Sequence, residues 1–236
     1  METHHNKNNP WPMAGAIVIA GVLIAGSVFL ANKPQTAAPT APTDGSNAPV
    51  AVDSSKINTD NEPYIGDKNA PLTIAYFYDY QCPICKQEEE TVTPQIIKDY
   101  VNTGKAKIVF KDFAFLGEDS QTLGLASRAV WELDPQKFYD WHKAIFDNQG
   151  QENTGWATPA TILSISTSVL GSTEAAKVQS LMKTNAVKYQ AAMDADKNEG
   201  AALGVNGTPS VIIGDKLVVG LTSYSQIKTT IDSQLK

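Results

Sequence analysis

Leu72-Thr73-Ile74-Ala75-Tyr76-Phe77-Tyr78-Asp79-Tyr80-Gln81-Cys82-Pro83-Ile84-Cys85 is the stretch on which the reading of this chain turns. Its first seven residues are rich in β-branched and aromatic side chains and read as a strand. Beyond Pro83 the composition becomes helix-forming, through Gln87, Glu88, Glu89 and Glu90. Cys82 therefore falls at a strand-to-helix junction, with Pro83 at the first helical position, where a missing N–H costs little. Free N–H groups and the positive end of the helix dipole stabilise a thiolate there. Cys82 and Cys85 are the only 2 cysteines of the 236 residues. Two thiols so close in sequence can close a small disulfide that another thiolate opens. The pattern points to a redox centre.

Three other readings of the pair are weaker. A zinc site needs about four ligands, usually from a second C-x-x-C or a His pair, and His142 is the only histidine outside the extreme N-terminus. A purely structural disulfide gains little, because so short a loop removes little entropy from the unfolded chain. Two buried, inert thiols would not call for proline at the helix start. No metal ligand and no organic cofactor is assigned.

A hydrophobic fraction of 42% allows a sizeable core. The net charge of −6 and pI near 5.1 give no footprint for nucleic acid. No repeat of solenoid period occurs.

The N-terminal part divides by composition into a short tail at 1–12, an apolar run at 13–31 and a linker at 32–60. The run carries no charged side chain, and a helix of that length nearly spans a hydrocarbon core of about 30 Å. Trp11 at its entrance suits an interfacial anchor. The run exceeds the usual apolar region of a cleavable signal peptide, which is the alternative reading. Few flanking charges set its orientation. A disulfide needs an oxidising compartment, so the expectation is a single-pass anchor in the cell membrane with the C-terminal part extracytoplasmic. The linker, dominated by Ala, Pro, Thr, Ser and Asn, cannot bury enough surface to fold and reads as a disordered tether or a plain tail.

From residue 61 to 236 the chain reads as globular. Strands are expected at 72–78, 107–113, 210–213 and 217–219, the last two joined by a turn at Gly214-Asp215-Lys216. Between 117 and 203 the apolar period becomes helical. Leu123, Ala126, Val130 and Leu133 mark one helix, and Phe138, Trp141, His142 and Ile145 the next. Ile162, Ile165 and Val169 mark a third, and Val178, Leu181, Met182, Ala186, Tyr189 and Met193 a long fourth. A last helix is expected over about 223–235, and Pro94 is expected to kink the helix after the cysteines.

A strand, C-P-x-C opening a helix, and a distant Gly207-Thr208-Pro209-Ser210 entering a strand resemble the thioredoxin fold. With the helical block inserted at 117–203, the chain is similar to the DsbA-like thiol-disulfide oxidoreductases of this α/β class. Asp79 to Cys85, Phe110-Lys111-Asp112-Phe113, Phe138 to Phe146 and Gly204 to Pro209 carry the likeness. It implies a cis Thr208-Pro209 bond facing the disulfide, where Thr208 and Pro209 would hold an extended substrate. It also implies thiol-disulfide exchange at Cys82, with Cys85 one turn deeper resolving the mixed disulfide. Partners would be cysteine-containing exported proteins and a redox partner that resets the pair.

Two residues depart from the family pattern. Tyr76 stands six positions before Cys82, where many members carry a buried acid that could relay a proton. Ile84 stands where strong oxidants carry His. Both departures imply a milder oxidant, and a reductase or isomerase of the same fold is the runner-up. A membrane-tethered binding or chaperone module using the groove beside Pro209 is the alternative from another class. Glu88-Glu89-Glu90 reads as a solvated helix face, and His142 as a packed or surface residue.

Overall fold

The structure is a computed structural model, described over residues 48–235. The expected tail, the anchor at 13–31 and the start of the linker lie outside those residues. Among the described residues no helix is long and apolar enough to cross a membrane. The chain runs β1 (Val50–Ala51), β2 (Tyr64–Ile65), β3 (Leu72–Tyr78), α1 (Pro83–Thr91), α2 (Thr93–Ile96) and β4 (Ala106–Asp112). The helical block follows as α3 (Glu118–Leu133), α4 (Phe138–Asp147), α5 (Pro159–Leu170), α6 (Ser172–Thr184) and α7 (Ala186–Ala202). β5 (Ser210–Ile213), β6 (Lys216–Val219) and α8 (Tyr224–Gln234) close the domain.

The sheet order is β1-β6-β5-β3-β4-β2. β3 and β4 are parallel, with Tyr76 opposite Phe110, and α1 and α2 make the crossover that parallel strands require. β5 and β6 form an antiparallel hairpin with β3 on their other flank. Period-two alternation splits β3 between two cores. Ile74, Tyr76 and Tyr78 join the large core shared with α1 and the helical block. Ala75 and Phe77 join a smaller one with Phe113, Leu203, Ile212 and Leu217. α7 lies so close on that side that a Cβ at Gly200 would sit 2.8 Å from the Phe77 ring.

The α/β architecture with its helical insertion is the one expected, and four local expectations change. The fold begins near residue 50, not 61: Val50 pairs with Leu217 on β6, and Val52 and Ile57 pack against the smaller core. Three apolar residues in a polar stretch suffice to dock it on the free edge of β6. The expected long fourth helix is two, divided at Asn185, whose side chain donates to Glu132 Oε1 at 3.1 Å. Their shared apolar period hides the turn. α1 stops at Thr91 and α2 restarts at Thr93, so Pro94 sits beside a full break. β2 is too short to show a period.

Six buried or nearly buried charges tie these pieces together. Arg128 on α3 donates to Asp112 Oδ2 on β4 and to Glu62 Oε2, each at 2.7 Å, and to Asp196 on α7. Lys111, fully buried, lies 2.9 Å from Asp196 Oδ1 and 3.1 Å from Glu199 Oε1. The Asn58 N–H donates to Glu199 Oε2 at 2.8 Å, which pins the segment before β2. Burial, only partly offset by Arg128, pushes Glu62 up to about 7. Removing one member leaves its partners buried and unpaired, a loss of roughly 3–5 kcal/mol. Lys111→Met should therefore lower the urea unfolding free energy by about that much; a change below about 1 kcal/mol would show that the cluster is peripheral.

Candidate active site

β3 delivers the chain to the site through Asp79, whose carboxylate organises the turn. Oδ1 accepts from the Gln81 N–H at 2.8 Å and the Ser120 hydroxyl at 2.6 Å. Oδ2 accepts from the N–H groups of Phe115 and Leu116. Gln81 donates to Leu116 O and accepts from the Asn153 N–H. Gln149 donates to the carbonyls of Tyr80 and Cys82, at 2.8 and 3.0 Å. The helical block thus fixes the backbone on both sides of Cys82. Sequence reasoning did not single out Asp79, Gln81 or Gln149 for a role, because polar residues next to a motif look like ordinary turn residues.

Cys82 is the N-cap of α1 and Pro83 its first residue. The Cys85 N–H donates to Cys82 Sγ at 3.4 Å, and Cys82 Sγ lies 3.4 Å from the Thr208 carbonyl oxygen, 126 residues away. The Thr208–Pro209 bond is cis, as the resemblance implies. The structure thus brings Cys82, Pro83, Ile84, Cys85, Thr208 and Pro209 together. Ile84 is 42% exposed, Cys82 6% and Cys85 fully buried.

The two sulfurs, present as free thiols, have opposed acidities. Hydrogen bonding from Cys85, opposed by partial burial and helped by Thr208 and the N–H groups of Cys85 and Ile84, draws Cys82 down to about 6. Burial, then the adjacent Cys82, pushes Cys85 well above the ordinary thiol range. Such a pair offers one stabilised thiolate and one proton-holding thiol.

The charge run does not behave as expected. Glu90 is exposed, but Glu88 and Glu89 are 3% and 1% exposed. At 3.6 residues per turn, positions 82, 85, 88, 89 and 92 share the face that α1 turns to the core, so a solvated reading holds only for Glu90. Glu89 accepts from the Tyr139 hydroxyl at 3.1 Å and lies 3.4 Å from His142 Nε2. His142 is fully buried among Tyr78, Tyr80, Phe110, Phe138 and Phe146, with Nδ1 2.9 Å from the Tyr80 hydroxyl. It is a packed residue beneath the site. Among the described residues no group of three or more His, Cys, Asp or Glu side chains is set to hold a metal ion.

A family model described as thioredoxin matches residues 58–233. The chain belongs to the thioredoxin family. Within this family it is 31% identical over 175 residues to disulfide bond formation protein D of Bacillus subtilis, covering 74% of this chain and 78% of that protein. The crystal structure of oxidised BdbD from Bacillus subtilis superposes with a TM-score of 0.68 at 27% identity, covering 80% of this chain and 97% of that one. The thiol-disulfide exchange protein alpha-DsbA2 of Wolbachia pipientis gives a TM-score of 0.65 at 29% identity, covering 76% and 90%. This thioredoxin-family chain is a DsbA-like protein thiol-disulfide oxidoreductase.

The opposed acidities predict that thiolate absorbance of the reduced protein rises through a midpoint near 6. Because the folded Cys82 value lies below the ordinary one, the reduced form gains stability as pH rises through that midpoint and loses it as pH falls. Cys85→Ala should move the midpoint upward by removing the largest stabilising contact. A wild-type midpoint near the free-thiol value of about 8.5 would contradict the assignment.

Proposed function

We propose that Cys82 and Cys85 are the exchange pair and that the protein oxidises cysteine-containing exported proteins outside the cytoplasm. The observation carrying this is the split between Cys82, an N-cap sulfur beside Thr208 that keeps 6% exposure, and the fully buried Cys85 behind it. A substrate thiolate attacks Cys82 Sγ of the disulfide, and Cys85 leaves as a thiolate and takes a proton. The substrate's second thiolate then attacks its own sulfur in the mixed disulfide, and Cys82 leaves as the stabilised thiolate. Two substrate thiols are oxidised and the pair is reduced. The resolving role expected of Cys85 therefore belongs to the reverse direction and to re-oxidation by a disulfide-bearing redox partner.

Thr208 and Pro209 form the wall beside Cys82 on which an extended substrate segment would lie. The name of the Bacillus subtilis relative, a disulfide bond formation protein, supports the oxidising direction. The apolar run at 13–31 supports a membrane anchor that keeps the domain at the outer face. No organic cofactor enters the exchange.

One feature favours a reductase or isomerase instead: the exposed side chain of Ile84 gives the Cys82 thiolate no donor beyond the backbone N–H. Cys82→Ser should abolish oxidation of a reduced protein substrate, whereas a pure binding module would keep its function. Ile84→His should shift the glutathione equilibrium toward a stronger oxidant by about tenfold, the effect of roughly 1.5 kcal/mol from a hydrogen bond to a charged group. An unshifted equilibrium would mean that the helix end alone sets the poise.

A further inference from the structure

The pull of the helix end on Cys82 depends on how the backbone around that sulfur is held. A carbonyl oxygen left bare beside a thiolate opposes it, whereas the N–H groups of Ile84 and Cys85 favour it. The Cys82 carbonyl is the first acceptor of α1, taking the Lys86 N–H at 3.2 Å, and the Cys82 N–H donates to Asp79 O at 3.0 Å. From the helical block, Gln149 reaches Cys82 itself. Its amide nitrogen lies 2.8 Å from the Tyr80 oxygen and 3.0 Å from the Cys82 oxygen. Both N–H groups of one uncharged amide are thus engaged by these two carbonyls.

Gln149 is presented by a loop that is itself fastened. It lies in the segment 148–158 between α4 and α5, and its own N–H donates to Phe146 O at 3.1 Å. The next residue has no room for a side chain: a Cβ at Gly150 would sit 2.5 Å from Trp156 Cγ. Asp119, buried near the start of α3, accepts from the N–H groups of Trp156 and Ala157 at 3.1 and 3.3 Å. The Asn153 N–H donates to Gln81 Oε1 at 2.7 Å. The loop is held at three points, and the half-buried Gln149 side chain has a fixed reach.

We propose that Gln149 is a positioning residue through which the helical block sets the redox poise of Cys82. By engaging the two carbonyl oxygens it offsets their partial negative charge in the surroundings of the thiolate. It also holds the Cys82 backbone so that Sγ faces the Cys85 N–H, 3.4 Å away. The leading groups that draw Cys82 down are hydrogen-bond donors, none of them a cation, so the placement of that backbone decides how well they act. An uncharged donor does this without adding a positive field at Cys85. Stabilising the Cys82 thiolate favours the reduced pair, which makes the protein a stronger oxidant.

The inference rests on Cys82 and Cys85 being the exchange pair, and one set of measurements separates the two. Wild type, Gln149→Met and Gln149→Glu are titrated by thiolate absorbance, equilibrated with glutathione and unfolded in urea. Methionine keeps the length and bulk of the side chain but donates nothing; glutamate keeps its shape and turns oxygens toward the two carbonyls. The Cys82 midpoint should rise by about half a unit to one unit in Gln149→Met, and further in Gln149→Glu. At neutral pH the glutathione equilibrium of Gln149→Met should move toward the protein disulfide by roughly three- to fivefold, which is that shift expressed as lost thiolate. A Gln149→Met protein that is less stable in urea but keeps the wild-type midpoint and equilibrium overturns the proposal, since Gln149 is then only a fastening. A midpoint in Gln149→Glu no higher than in Gln149→Met overturns it as well. Alkylation of Cys85 before Cys82 by iodoacetamide in the reduced wild type would instead overturn the exchange pair.

Discussion

Everything at this site depends on one junction, where the N-terminus of α1 meets the buried end of β3. A helix that starts there must place its first sulfur at the free N–H groups and its second, one turn on, against the sheet. The chemical difference between Cys82 and Cys85 follows from this geometry rather than from any nearby cation. Cys82 gains hydrogen bonds to its charged form; Cys85 is desolvated. The helical block matters because it holds the junction from outside, through Asp79, Gln81 and Gln149, and closes the core over the inner thiol.

The same junction explains why buried acids are tolerated beneath the pair. A cationic neighbour would lower the acidity contrast by stabilising a thiolate at Cys85 as well. Carboxylates and tyrosines leave in place the contrast that burial and the adjacent Cys82 impose on the inner sulfur. The excess of carboxylates around Lys111 and Arg128 serves another end, fastening the segment before β2 and the helices to β4, on the far side of the Tyr78–Ser127 contact.

Much of this was legible from residue order. The bounds of β3 and β5, the helix start at Pro83 and the meeting of Thr208-Pro209 with Cys82 follow from β-branched runs, proline chemistry and the family likeness. The docked residues 50–60 were not legible, since Val50, Val52 and Ile57 are too sparse to make a period. Nor was the turn at Asn185, because two helices lying on one core carry a single apolar rhythm. Glu88 and Glu89 misled for a physical reason. Consecutive charges usually mark a wet face, but a helix rotates 100° per residue, and here the run crosses from solvent into the core beneath the thiols.

The opposed acidity of the two thiols is most directly tested by the reduction potential of the pair as a function of pH. With Cys82 as thiolate and Cys85 as thiol, reduction takes up one proton for two electrons, and the potential should fall by about 30 mV per pH unit between pH near 6 and the high range of Cys85. Below that lower limit the slope should double, as Cys82 takes a proton too. A slope of about 60 mV per unit maintained up to pH 8 would mean that both sulfurs bind protons alike, and that the helix end does not separate them.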